Sequence, residues 1–101
     1  MEKLSFSMKV ACDLALRDAK ANDGRITDYQ ICDATPRQVD AYLEKELGFS
    51  IGNTDYDSVC DEVYFEYAKD DLIITLIWNG WTGYVAVNGY NLGREDEDYE
   101  G

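Results

Sequence analysis

Residues Glu62 to Asn79 constrain this chain more than any other stretch. From Glu62 to Lys69 the sequence alternates, with Val63, Phe65 and Tyr67 on one side and Glu62, Tyr64 and Glu66 on the other. That period of two is the pattern of a strand with one buried face. Leu72 to Trp78 then forms a continuous apolar run, and Asn79-Gly80 is a strong hairpin signal. With a two-residue turn at Asp70-Asp71, Tyr67 lies opposite Ile74 and Phe65 opposite Leu76. A two-residue turn at Asn79-Gly80 pairs Trp78 with Trp81, Leu76 with Gly83 and Ile74 with Val85. A second Asn-Gly pair, Asn88-Gly89, would fold Tyr90 to Leu92 back as a short fourth strand.

This register sorts the side chains. One face collects Val63, Phe65, Tyr67, Leu72, Ile74, Leu76, Trp78, Trp81, Val85 and Val87. The other collects Glu62, Tyr64, Glu66, Ile73, Thr75, Ile77, Thr82, Tyr84 and Ala86. A slip of one residue in the first pair would push glutamates into the apolar face, so the register is well specified. The apolar face has to be covered, and the helices of the first half are the available cover.

Those helices are readable. Met8, Ala11, Cys12, Ala15 and Ala19 recur at helical spacing between Ser5 and Ala21, with Val10, Leu14 and Leu16 widening the stripe. Asn22-Asp23-Gly24 supplies the turn chemistry that ends it. At Thr27 a cap with Gln30 reaching back, and Ile26 stapled to Ile31, predicts a short helical turn. Thr35 caps a further helix, with Pro36 in its first position, Gln38 completing the capping box, Val39, Tyr42, Leu43 and Leu47 on one face, and Gly48 as the stop. The segment 51–61 joins the halves, and Tyr56 to Tyr67 also admits a helical reading. The expectation is an α+β domain over residues 1–94, with N-terminal helices packed on one face of a three- or four-stranded antiparallel meander. Residues 1–50 read as helical, 51–94 as mainly strands, and 95–101 as an acidic disordered tail.

Charge divides the chain in the same place. Of 101 residues, 21 are acidic, 9 are basic and none is histidine, a formal net charge of −12. Residues 1–45 hold 8 acids and 7 bases, whereas residues 46–101 hold 13 acids and only Lys69 and Arg94 as bases. The lack of histidine excludes Ser-His-Asp and Cys-His catalysis and His-containing zinc or haem sites. The net charge opposes direct contact with phosphate backbones and favours basic surfaces. No segment has the roughly 18 to 20 unbroken apolar residues of a membrane span. The start Met1-Glu2-Lys3 does not read as a signal peptide. Cys12, Cys32 and Cys60 form neither a disulfide framework nor a metal cluster, and read as reduced, mostly buried thiols of a cytoplasmic protein.

Several motifs fall short of a site. Asn53, Asp55, Asp57 and Asp61 alternate like the ligands of an EF-hand, but Ser58 stands where the glycine belongs and Tyr64 where the bidentate glutamate belongs. Asp57-Ser58-Val59 is similar to the Asp-Ser-Leu prosthetic-group site of acyl carrier proteins, which are helical bundles; residues 72–87 do not fit one. Glu62 and Glu66 could serve as a catalytic carboxylate pair, but an open sheet face supplies no cleft. Trp78 and Trp81 read as a cross-strand aromatic contact that closes the hairpin.

The remaining signal is an acidic, tyrosine-bearing sheet face. Carboxylates along an elongated surface can imitate duplex phosphates. In size, charge and lack of catalytic residues the chain resembles small phage-type anti-CRISPR and anti-restriction inhibitors, some of which act as DNA mimics. The resemblance implies a non-catalytic inhibitor that needs no cofactor or metal and works in the host cytoplasm. Its partner would be a basic protein or nucleoprotein complex, without direct nucleic-acid or membrane binding. The alternative is an immunity protein or antitoxin that neutralises a basic toxin. The candidate partner-binding residues are Glu62, Tyr64, Glu66, Asp70 and Asp71, flanked by Asp55, Asp57 and Asp61. Together they are expected to form a continuous negative edge.

Overall fold

The computed structural model describes residues 5–21 and 26–92. The order of elements is β1 (Ser5–Phe6), α1 (Met8–Ala21), β2 (Tyr29–Ile31), α2 (Pro36–Ala41), β3 (Ser50–Asp57), β4 (Glu62–Lys69), β5 (Leu72–Asn79) and β6 (Val85–Asn91). The strands form one sheet in the order β1-β2-β6-β5-β4-β3. The pair β1–β2 is parallel and the other pairs are antiparallel. The fold is thus α+β with a helix on one sheet face, but among the described residues the sheet has six strands and is mixed. The expected three- or four-stranded antiparallel meander is only its central part.

The β4–β5 register is as the alternation demands, with Tyr67 opposite Ile74 and Phe65 opposite Leu76. The next turn differs. The side chain of Asn79 accepts the backbone N–H groups of Trp81 at 2.9 Å and Thr82 at 3.0 Å, and its backbone N–H donates to the Tyr84 carbonyl. The loop therefore spans Gly80 to Gly83 and closes at Gly83, where φ is +76°. Trp78 pairs with Val85, Leu76 with Val87 and Ile74 with Gly89. An even slip preserves the faces, so Val85, Val87 and Ala86 keep their expected sides. Trp81 and Thr82 leave the sheet for the loop, and Trp78 and Trp81 do not stack.

Asn88-Gly89 is no turn; it lies inside β6. A Cβ at Gly89 would come 2.0 Å from the Ala15 carbonyl oxygen, so the glycine lets α1 lie directly on the strand. Tyr29 to Ile31, expected as a helical turn, is a strand that pairs with β6 through Tyr29 opposite Val87. Ile31 enters the core there, and the Tyr29 ring meets Phe6 edge-on at 5.8 Å. The first half is therefore not wholly helical, and the joint at 51–61 is largely the edge strand β3. The turn at 22–24 and the segment 95–101 lie outside the described residues.

The core forms where α1 covers the sheet. Ala11, Cys12, Ala15 and Ala19 are fully buried against β6 and its neighbours, and Ile74, Leu76, Val85 and Val87 answer from the strands. Small helix residues permit this close approach. The Asp33 carboxylate accepts the Met8 N–H at 2.9 Å, which satisfies one free donor at the start of α1. In α2 both bonds of the capping box form: Gln38 N–H to Thr35 Oγ1 at 3.3 Å, and Thr35 N–H to Gln38 Oε1 at 2.9 Å. The helix widens into a π-type turn over Tyr42–Glu46 before Gly48, where φ is +79°. Lys69 Nζ donates to the Leu47 carbonyl at 3.1 Å, placing a cation at the helix C-terminus. Thr35→Ala is expected to lower unfolding free energy by about 1 kcal/mol in urea titration, with an unchanged denaturant slope.

Candidate functional site on the open sheet face

The helices occupy one face, and the opposite face carries Asp55, Asp57, Glu62 and Glu66. Strand pairing places them in rows across it. Asp57 lies opposite Glu62, Asp55 opposite Tyr64, and Asn53 opposite Glu66. The rows continue through Ile77 and Ala86 from Tyr64, and through Thr75 and Asn88 from Glu66. Ile73, Ile77 and Ala86 are buried although they lie on this face, with Ile77 opposite Tyr64 and Ile73 opposite Tyr90.

Hydrogen bonds fix the carboxylates. Glu62 Oε1 accepts a short bond from the Tyr64 hydroxyl, and Oε2 accepts from Asn79 Nδ2 at 3.2 Å. Glu66 Oε1 accepts from Asn53 Nδ2 at 3.2 Å, and Oε2 accepts from the Tyr90 hydroxyl at 3.3 Å. Asp61, at φ 55° in the turn after β3, accepts from the Tyr56 hydroxyl at 2.8 Å. All these donors are neutral. Among the described residues the only ion pair joins Arg17 and Asp18 at 3.5 Å, on α1.

The bonds to Tyr64 and then Asn79 hold the Glu62 carboxyl below the usual carboxylate range. The same Glu62 bond, ahead of desolvation, pushes the Tyr64 phenol up to about 12. The stabilisation from Glu62 is present above the ordinary carboxylate pKa and is lost as pH falls through the lowered one. That from Tyr64 is present below the ordinary phenol pKa of 10.0 and is lost as pH rises through about 12. Glu62→Gln should return the Tyr64 phenol toward 10.0, as followed by NMR of its ring carbons. An unmoved titration would show that the bond is not formed in solution.

The eight candidate residues are not one continuous edge. Glu62, Tyr64, Glu66, Asp55 and Asp57 share the open face, and Asp61 sits at its corner in the β3–β4 turn. Asp70 and Asp71 form the β4–β5 turn at the other end of β4, with Asp70 at φ 57°. About eight strand residues, some 26 Å, separate them from Asp61. Glu62 and Glu66 are about 13 Å apart along the strand, beyond the roughly 5 to 9.5 Å of glycosidase carboxylate pairs. Asn53, Asp55 and Asp57 lie in an extended strand rather than a calcium loop. Among the described residues no three Cys, Asp or Glu side chains gather as a metal site. Asp57 Oδ1 accepts the Val59 N–H at 3.0 Å, so Asp57-Ser58-Val59 is accounted for as a chain reversal.

Of the cysteines, Cys12 is buried, Cys60 half-buried and Cys32 exposed, and all three are free thiols. Burial and the nearby Asp13 push Cys12 up to about 12, and desolvation with the Asp57 bond raises Cys60. Sequence reasoning missed an apolar end next to the acidic corner. Tyr56, Val59, Trp78 and Trp81 are exposed there, Val59 by 82% and Trp81 by 71%. The Gly80 N–H to Asp61 carbonyl bond, 2.9 Å, ties the two turns together. The longer loop after Asn79 is what releases Trp81, and two-residue turn chemistry does not foretell it. Among the described residues no helix is long and apolar enough to cross a membrane. No protein-family model matches the chain, and no curated protein or solved structure matches it either.

Proposed function

We propose that the protein is a non-catalytic inhibitor whose open sheet face docks on a basic protein or nucleoprotein surface and keeps nucleic acid from it, as anti-CRISPR and anti-restriction proteins do. The observation that carries this reading is the position of Asp57 directly opposite Glu62, with Asp61 at the same corner. Like charges directly opposite each other in a sheet are destabilising. Here they are held by neutral donors, and the face as a whole is negative. Asp55 and Asp57 also discourage edge pairing of β3, but that does not account for Glu62 and Glu66 on the inner strand. A cationic groove would supply a countercharge that no described residue provides on this face, and the field would speed and orient the encounter. Trp81 and Val59 beside the corner offer the apolar anchor that such interfaces commonly contain.

The test is expression of the protein in cells carrying defined restriction or CRISPR systems, read as plating efficiency of a targeted phage. Protection against at least one system, lost on reversing the open-face charges, is the expected result. Absence of protection across the panel, with rescue from a single co-expressed basic toxin instead, would replace this reading with that of an immunity protein.

A further inference from the structure

A groove of about 300 Å³ opens in the acidic face between β3, β4 and β5, lined by Asn53, Thr54, Asp55, Tyr64, Glu66 and Thr75. We propose that it seats one arginine side chain of the partner. This rests on the reading of the face as a surface for a basic partner and narrows it to a single side-chain chemistry.

The floor of the groove is the first observation. Thr75 is 9% exposed, yet among the described residues no hydrogen bond reaches its hydroxyl. No enclosed side-chain polar atom there is orphaned, so the hydroxyl is reached through the groove that Thr75 lines. That hydroxyl is free to accept from a donor that enters the groove. The wall is the second. Glu66 stands directly across from Thr75, and its two oxygens are oriented by Asn53 and Tyr90, each with a lone pair to spare. Asp55 adds a second carboxylate opposite Tyr64. The Tyr64 hydroxyl is engaged by Glu62, which fixes the ring beside the groove.

The groove thus offers two carboxylates with lone pairs to spare beyond the bonds they accept from Asn53, Tyr90 and the Tyr56 N–H, one hydroxyl and one aromatic face. A guanidinium has five donors and no acceptor, forks onto carboxylates and stacks on aromatic rings. It can meet Glu66, Thr75 and the Tyr64 ring together. An ammonium supplies the charge but neither the fork nor the plane, and an anion is repelled.

The test titrates the capped tripeptide Gly-Arg-Gly into the isotopically labelled full chain, followed by NMR. Saturable shifts centred on Asn53, Tyr64, Glu66 and Thr75 are expected. The lysine counterpart should bind at least about 3-fold more weakly, because it loses the bidentate contact, and the citrulline counterpart should not bind. Thr75→Val should weaken the arginine peptide about fivefold, the loss of one hydrogen bond, without lowering the thermal midpoint. Glu66→Gln should weaken it at least as much. Equal arginine and lysine binding, or unsaturable shifts spread over every acid, would overturn the arginine seat and leave the broader reading standing. If an Arg- and Lys-rich nonapeptide also fails to shift any open-face residue, both readings fall.

Discussion

Gly89→Ala is expected to lower the unfolding free energy by about 3 kcal/mol, the upper part of the range for forcing a methyl group into a packed interior. The added carbon would stand 2.0 Å from the Ala15 carbonyl oxygen and 2.8 Å from its carbon. Both are backbone atoms in the middle of α1, so no rotamer change relieves the clash. The helix has to lift from β6, and Ala11, Cys12, Ala15 and Ala19, all at 0% exposure, lose contact together. Urea unfolding should show a lower midpoint at an unchanged slope. Gly52→Ala is the matched control, because its nearest neighbour would be the Glu66 carbonyl oxygen at an ordinary 3.8 Å. A change within about 0.5 kcal/mol is expected there. Equal stability of Gly89→Ala and the parent would mean that α1 does not lie this close to the sheet.

Gly89 also shows where the sequence stops being legible. Asn88-Gly89 satisfies the local chemistry of a tight turn, and nothing within a few residues distinguishes that use from close packing. The deciding contact comes from Ala15, far upstream in the chain. The same limit explains β2: Thr27 and Gln30 fit a capping box locally, but pairing with β6 decides the conformation of Tyr29 to Ile31. Where information is local or strictly periodic, the reading holds. Thr35, Pro36 and Gln38 start a helix as their chemistry requires. The alternation from Glu62 to Lys69 fixes the β4–β5 register to the residue. The acidic face was legible for the same reason, since Glu62, Tyr64 and Glu66 are set by period two. Asp55 and Asp57 join it only through an edge strand whose exposed, mixed sequence carries no burial pattern. The groove at Thr75 depends on three strands at once and has no sequence signature.

Reversing Glu62 and Glu66 together to lysine should weaken binding to a basic partner at least about 100-fold. Each desolvated carboxylate–cation pair contributes about 1.5 kcal/mol or more, so two amount to roughly 3 kcal/mol. Reversing Asp13 and Glu46, both exposed on the helical side, alters the net charge identically and should cost far less. Asp18 makes a poor control because it accepts the Tyr29 hydroxyl at 2.6 Å. The comparison separates the place of the charge from its amount. Affinity should fall with added salt, mainly through slower association. A second variant, Asp57→Asn, distinguishes a binding site from a solubilising surface. It removes the like-charge contact with Glu62 while its amide oxygen still accepts the Val59 N–H, so unfolding free energy should rise by about 0.5 kcal/mol. Binding should nevertheless weaken. A variant that folds better and binds worse is the behaviour of a surface whose repulsion is relieved by its partner. If Asp13 and Glu46 matter as much as Glu62 and Glu66, the open face is not the site. If salt has no effect and Trp81→Ala is the damaging change, apolar contacts at the neighbouring end hold the partner, and the carboxylates serve solubility.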